Sequence, residues 1–502
     1  MRFTRAVFIR CIGGIFLLAF LSAASQMRGL YGSQGISPIG QMLGVAQGHP
    51  GLGHLLNYPS LFWFDYSDSF LVLLPLVGAF FSLLALLGIL GGPCILISWL
   101  LYLSIVTVGQ EFMSFQWDIL LLETGFLCIF LGSWRPFDFL YSLIATSGFA
   151  AKIPEWMVDR TEPPIALIWL CRWLLFRLMF QSGMCKLDSG DENWRNFSAM
   201  TYHYETQPLP TPIGWFAHQL PDPMQLFSTG CVFLLEGLLP FAIFFGRRAR
   251  SIVAIGTISL QILILLTGNY CFFNLLTIAL SLLLVDDKQL LVLFIKGDLR
   301  SRVENVEVPK VNQLRNLVVV PVVILIVFLS TCRPLLTMGG ARSLPPLVSA
   351  VLESSQQWHL VSSYGLFAVM TTSRPEIAIE GSMDGKTWKE YIFKYKPGPL
   401  DRAPPVVAPH QPRLDWQMWF AALGSVFDNQ WLVSFAEKLL DGSPDVLALL
   451  ASDPFKGQKP KFIRANVYDY HLEDIGTLMA TGKWWKRKYK GVYLPTITKN
   501  QG

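Results

Sequence analysis

Over its first two thirds the chain alternates long apolar runs with short polar connectors, and after that the pattern changes to mixed, shorter periods. A helix needs about 20 mainly apolar residues to cross roughly 30 Å of hydrocarbon. Windows that approach or meet this length lie at 6–24, 70–90, 94–108, 117–131, 164–185, 227–245, 251–267, 271–285 and 317–331. About nine crossings are expected, and the third, fourth and eighth are short enough to be half-helices. The first window follows Arg2, Arg5 and Arg10 and also has the form of a signal peptide, with "LSAAS" as its cleavage site. Its length and flanking charge favour an uncleaved anchor.

Within the apolar region one connector stands out, 186–226, containing "MTYHYETQPLP". From 333 to 502 the patterning is that of a soluble domain. "EIAIEGSMDGKTWKEYIFKYK" alternates apolar and polar positions on both sides of Asp384-Gly385, a strong hairpin signal, with Ile377, Ile379, Trp388 and Phe393 among its buried candidates. A Pro-rich connector leads to "RLDWQMWFAALG", where the spacing of Leu414, Met418 and Ala421 suits an amphipathic helix. Two more helices are expected at "NQWLVSFAEKLLDG" and "SPDVLALLASDP", the second capped by Ser443 with Pro444 at its first position. The basic, aromatic "GKWWKRKYKGVY" reads as a solvated strand with packed tryptophans, with contact to anionic lipid headgroups or a partner as the alternative.

The fold expected is therefore an α-helical multi-pass membrane bundle of about nine spans, residues 1–332, followed by a soluble β-rich α+β C-terminal domain, 333–502. Composition agrees. Of 502 residues 52% are hydrophobic and 15% charged, with a mean hydropathy of +0.43, too apolar for an ordinary soluble globule.

Charge then orients the chain. With the N-terminus in the cytoplasm, that side holds Arg2, Arg5, Arg10, Arg135, Lys152, Arg160, Arg247, Arg248, Arg250, Lys288, Lys296, Arg300, Arg302, Lys310 and Arg315, while the other keeps only Arg28, Lys186 and Arg195 outside the C-terminal domain. Cytoplasmic loops favour such a bias. The 186–226 connector and the C-terminal domain then face the lumen or periplasm. All eight cysteines lie in or beside the expected spans and none lies in the C-terminal domain, which excludes a disulfide scaffold there.

The signatures of serine hydrolases, zinc proteases, Walker-type ATPases and dinucleotide-binding enzymes do not occur. No cofactor, metal site, catalytic set or nucleic-acid partner is implied. The remaining chemistry is a candidate intramembrane charge network, Asp118, Glu123, Arg172, Arg177 and Glu236. Charges at bilayer depth are costly and usually pair in the bundle interior, whether to fix packing or to work. Glu123 with Arg177 is the leading pair. At the connector, Lys186, Trp194, His203, Tyr204, Glu205 and Gln207 are candidate recognition or pocket residues, and Asn196 opens a glycosylation sequon.

Five blocks carry a resemblance: "VGQEFMSFQWDILLLETGFLCIF", "FRLMFQSGMCKLDSGDENWRNFSAMTYHYETQPLPTPIGWFAH", "LTGNYCFFNLLTIALSLLLVDD", "RLDWQMWFAALG" and "GKWWKRKYKGVYLP". In this order they resemble the lipase maturation factor family. The resemblance implies a membrane-embedded, chaperone-like maturation factor that assists secreted dimeric lipases, in the endoplasmic reticulum membrane in eukaryotes, with client contact mainly through the C-terminal domain. The ending "TITKNQG" shows no retrieval signal of the K-D-E-L type, and the compact hairpin is a second departure from animal members. A bacterial homologue, in an inner membrane, would fit both. The partners implied are the bilayer and secreted clients. The rival reading is a membrane enzyme with an outer-leaflet pocket under 186–226, lined by Glu123, Arg177, Lys186, His203 and Glu205, acting on a lipid or small molecule. A transporter with broken helices is a third, unsupported by repeat symmetry.

Overall fold

A computed structural model describes residues 1–46, 57–144, 153–294, 313–337 and 345–499. Of the charges used to orient the chain, Lys152, Lys296, Arg300, Arg302 and Lys310 lie outside the described residues.

Among the described residues seven helices are long and apolar enough to cross a membrane: Arg2–Ala24, Asp68–Leu87, Gly91–Val108, Ile165–Asp188, Asp222–Phe244, Arg247–Thr267 and Arg315–Arg333. The count differs from nine because the expected fourth and eighth spans are the helices Gln116–Leu131, of 16 residues, and Phe273–Leu282, of 10. Both lie inside the bundle and bury most of their side chains. A short helix is tolerated there because protein rather than lipid surrounds its ends. The expected third span is a full 18 residues. Close packing begins with the first helix, where a Cβ on Gly13 would lie 2.5 Å from the backbone nitrogen of Leu86. Only a residue without a side chain lets the helices Arg2–Ala24 and Asp68–Leu87 approach so closely.

The two ends of the bundle differ. At one, the N-terminal ammonium meets Glu162 at 2.8 Å, Arg10 meets Asp138 at 2.8 Å, and Arg247 meets Asp286 at 2.8 Å. At the other lie the short helices Met27–Tyr31, Glu192–Arg195, Ala199–Thr206 and Pro212–His218, together with the C-terminal domain. All eight cysteines carry free thiols.

The C-terminal domain holds an antiparallel sheet of four strands, β1 (Pro375–Ser382), β2 (Trp388–Glu390), β5 (Phe462–Leu472) and β6 (Trp485–Thr498), in the order β2-β1-β5-β6. The hairpin turns at Asp384-Gly385, where Gly385 takes the positive φ that the turn demands. Strands β3 (Ile392–Phe393) and β4 (Leu450–Ser452) form a second, small sheet. The helices Arg413–Ala422 and Gln430–Leu440 form where the periodicity placed them. "SPDVLALLASDP" does not give a full helix. Ser443 caps Pro444–Leu447 as expected, but the chain then extends into β4, where Leu450 pairs with Phe393. β5, "FIRANVYDYHL", is one of the two inner strands and is not among the expected elements, although Ile463 and Ala465, then Tyr470 and Leu472, alternate inward. Buried side chains of bundle and domain form one continuous core, from Phe8 and Phe16 through Phe112 and Trp117 to Trp416, Phe435 and Leu494.

Candidate functional site: the seam between bundle and C-terminal domain

The short helix Gln116–Leu131 carries two carboxylates into the interior, and each is met by the polypeptide that follows the bundle. Asp118, in its first turn, accepts two hydrogen bonds of 2.9 Å from Arg413, the first residue of Arg413–Ala422. Tyr102 donates to the same carboxylate, and Arg413 also donates to the Phe112 carbonyl at 2.6 Å. Burial works against the guanidinium's charge, but the Asp118 carboxylate outweighs it and raises the Arg413 pKa.

Glu123, five residues along, binds Arg177. Its other oxygen accepts from the Ser362 backbone nitrogen at 2.8 Å and the Tyr364 hydroxyl at 2.7 Å, while Arg177 donates to the Ser362 carbonyl at 2.9 Å. The two leading candidates are thus brought together, around a segment that enters the C-terminal domain. Asp118 departs from the expected bundle-internal pairing, because its partner comes from the domain. Arg172 departs too: it donates to the Leu283 carbonyl at 2.9 Å and stacks 4.9 Å from the Trp169 ring, with no acid partner among the described residues. Glu236 pairs with Lys186 at 2.7 Å, and that ammonium also lies 5.3 Å from the Trp194 ring.

"MTYHYETQPLP" is a helix, Ala199–Thr206, followed by an extended stretch and a second helix, Pro212–His218, capped by Thr211. Prolines 208, 210 and 212 remove backbone donors, so this stretch offers mainly carbonyls that need partners. The C-terminal domain supplies them. Arg374, fully buried, donates to the carbonyls of Glu205 at 2.6 Å, Pro208 at 2.8 Å and Gln207, and pairs with Glu376 at 2.9 Å. Trp419 donates to the Thr206 carbonyl at 2.9 Å. Asn269 bridges the two parts, donating to Leu209 at 3.1 Å and Pro405 at 2.8 Å while accepting from the Val407 nitrogen at 2.7 Å.

The side chains of the stretch are occupied as well. Glu205 accepts from His471 and from the Leu472 nitrogen, each at 2.9 Å. Gln207 donates to the Thr267 carbonyl at 2.9 Å and accepts from Tyr270 at 3.0 Å. His203 lies edge-on to Phe367, 4.9 Å between centroids, where burial and then the Lys186 charge lower its pKa to about 4. Trp194 is buried and donates to the Phe367 carbonyl at 2.9 Å. Tyr204 is half-buried, and burial raises its pKa. Asn196 is exposed and accepts from Ser198, 2.6 Å away.

Glu123, Arg177, Lys186, His203 and Glu205 are not among the residues that line the cavity at the seam. The cavity at the seam, about 330 Å³, is aromatic, lined by Phe115, Trp117, Tyr270, Phe367, Trp416 and Phe420 among others. Among the described residues no cluster of His, Cys, Asp or Glu is placed to hold a metal ion. Arg374, Arg413, Asn269 and Tyr364 are not among the expected site residues; nothing local marks them, since their partners lie 60 to 295 residues away.

These features define a multi-pass membrane protein whose C-terminal domain is bolted to one end of its helical bundle by buried ion pairs and backbone-directed donors. Comparison with known sequences gives it a family. Residues 3–292 match the lipase maturation factor transmembrane domain and residues 360–495 the lipase maturation factor C-terminal domain. The chain is 35% identical to lipase maturation factor 2 of Homo sapiens, covering 99% of this chain and 83% of that protein. It is 34% identical to lipase maturation factor 2 of Xenopus laevis, over 99% and 82%, and 34% identical to lipase maturation factor 1 of Mus musculus, over 98% and 87%. The chain belongs to the lipase maturation factor family. No solved structure matches it.

Proposed function

We propose that this protein is a membrane-embedded, non-enzymatic maturation factor that assists the folding and assembly of secreted proteins, lipases first among them. The observation that carries this reading is the family relationship along nearly the whole chain, to proteins named for lipase maturation. The geometry supports a holding role. The intramembrane acids serve to fix the domain, since Asp118 and Glu123 have their oxygens engaged by Arg413, Arg177, Ser362 and Tyr364. Residues 1–332 act as the membrane anchor and 333–502 as the client-facing part. The client face is the apolar rim of the aromatic cavity, where Val369, Phe420 and Leu423 are exposed.

The N-terminus is cytoplasmic and the C-terminal domain lumenal or periplasmic, a reading supported by Arg2, Arg5, Arg10, Arg135, Arg160 and Arg247 at the opposite end of the bundle. The membrane is that of the endoplasmic reticulum in a eukaryote and the inner membrane in a bacterium. Photo-crosslinking in cells from probes at Val369 and Phe420 tests the proposal. Capture of newly made secreted lipases supports it; capture of a lipid or small molecule alone, with no secreted protein, overturns it.

A further inference from the structure

The helix Ile475–Thr481 joins β5 to β6, capped by Asp474, which accepts from the Thr477 nitrogen at 2.9 Å. Leu478 packs inward on the cluster of Trp215, Tyr470, Leu472 and Trp485. Ile475 and Met479, one turn apart on a shared face, point away from it and are 49% and 83% exposed. Gln219 donates to the Glu473 carbonyl at 3.2 Å and so holds this helix beside residues 213–224. There Ile213, Phe216, Leu220 and Met224 are exposed too. Met224 belongs to the first turn of the crossing helix Asp222–Phe244, so the apolar strip is continuous with a lipid-facing surface at the edge of the bilayer.

Charge borders the strip. Lys486 stands opposite His471 across the strands, and Lys488 opposite Asp469. Lys486 and Lys488 thus share the sheet face of His471, whose ring reaches Glu205 of the 186–226 connector. Lys483, Lys486 and Lys488 are exposed; Lys486 lies 3.6 Å from Glu473, and the other two pair with no acid among the described residues. An exposed apolar strip beside a row of lysines is the composition of a surface that lies in a membrane interface.

We propose that Ile475–Thr481 is a membrane-surface contact. Ile475 and Met479 enter the headgroup boundary of the leaflet where Asp222–Phe244 begins, and Lys483, Lys486 and Lys488 hold anionic lipid headgroups. Continuity with the spanning helix selects the bilayer over an acidic protein segment as the occupant.

The test uses the full chain in nanodiscs, with p-benzoylphenylalanine in place of Met479 or, as control, in place of Lys386 at the hairpin tip, which the register puts at the far end of the sheet. The discs contain phosphatidylcholine alone or mixed with phosphatidylglycerol. Lipid adducts at Met479, none at Lys386, and a rise in yield with phosphatidylglycerol are expected. Combining Lys483→Gln, Lys486→Gln and Lys488→Gln should cut the adduct yield in anionic discs about tenfold or more. These side chains are exposed, so the fold is kept. Adducts to protein only, or a Met479 yield no greater than that at Lys386, overturn the membrane contact. A lipid adduct indifferent to the three lysines overturns headgroup binding.

Discussion

The Arg413 guanidinium grips the Asp118 carboxylate through both terminal nitrogens, with two hydrogen bonds of 2.9 Å, and both residues are buried. Removing one partner leaves a lone charge in a low-dielectric site, at a cost of about 3–5 kcal/mol, whereas removing both leaves none. Arg413→Met should therefore lower the unfolding temperature in nanodiscs more than Asp118→Leu combined with Arg413→Met. Equal losses would mean that the pair is not electrostatically coupled.

Arg374 is a fork aimed at three backbone carbonyls of the connector, those of Glu205, Gln207 and Pro208. A lysine keeps the charge but not the planar spread of donors. Arg374→Lys should destabilise the docked connector by about 2–3 kcal/mol, visible as faster backbone hydrogen exchange across 199–207 with the bundle interior unchanged. Unaltered exchange would remove the docking role assigned to this side chain.

Glu123 joins Arg177 to Ser362 and Tyr364. Glu123→Gln strips the charge facing Arg177 and should cost about 3–5 kcal/mol, with loss of protection at Ser362. Tyr364→Phe removes one hydrogen bond and should cost about 1–2 kcal/mol. Limited proteolysis near 362 ranks the two, and the reverse order would contradict the arrangement.

Acid should loosen the seam. Burial lowers the pKa of His203, His359 and His410 to about 4, whereas an unfolded histidine titrates near 6.5. Between these values the unfolded chain binds more protons, so the stabilisation is complete above pH 6.5 and is lost as the pH falls toward 4, at most about 3 kcal/mol for each histidine. Thermal unfolding should shift to lower temperature between pH 7 and pH 5, and His203→Gln should flatten that dependence. A stability that rises on acidification would refute the neutral, buried state of these rings.

The membrane bundle, the Asp384-Gly385 hairpin and the helix Arg413–Ala422 were legible in the sequence because each rests on a local period or a turn residue, information carried within a dozen or so neighbouring positions. β5 carried the same kind of signal and went unassigned, because mixed polar positions interrupt its alternation: Asn466 is buried beside Ala465. That the fourth and eighth windows are short was legible too; that both helices lie inside the bundle was not, since what allows a short helix at bilayer depth is the protein packed round it.

For the seam, sequence supplied the costly groups and structure supplied their partners. Asp118, Glu123, Arg177 and Glu205 stood out because ionisable groups in apolar runs, and acids in a proline-stiffened connector, must be satisfied somewhere. Which group satisfies them was decided by tertiary structure alone: Arg413 is 295 positions from Asp118, and Arg374 is 169 from Glu205. An arginine in a soluble stretch carries no mark of the carbonyl or carboxylate it will meet. Its burial, and hence the strength of the pairing, exists only once the C-terminal domain has closed against the bundle and excluded water from the seam.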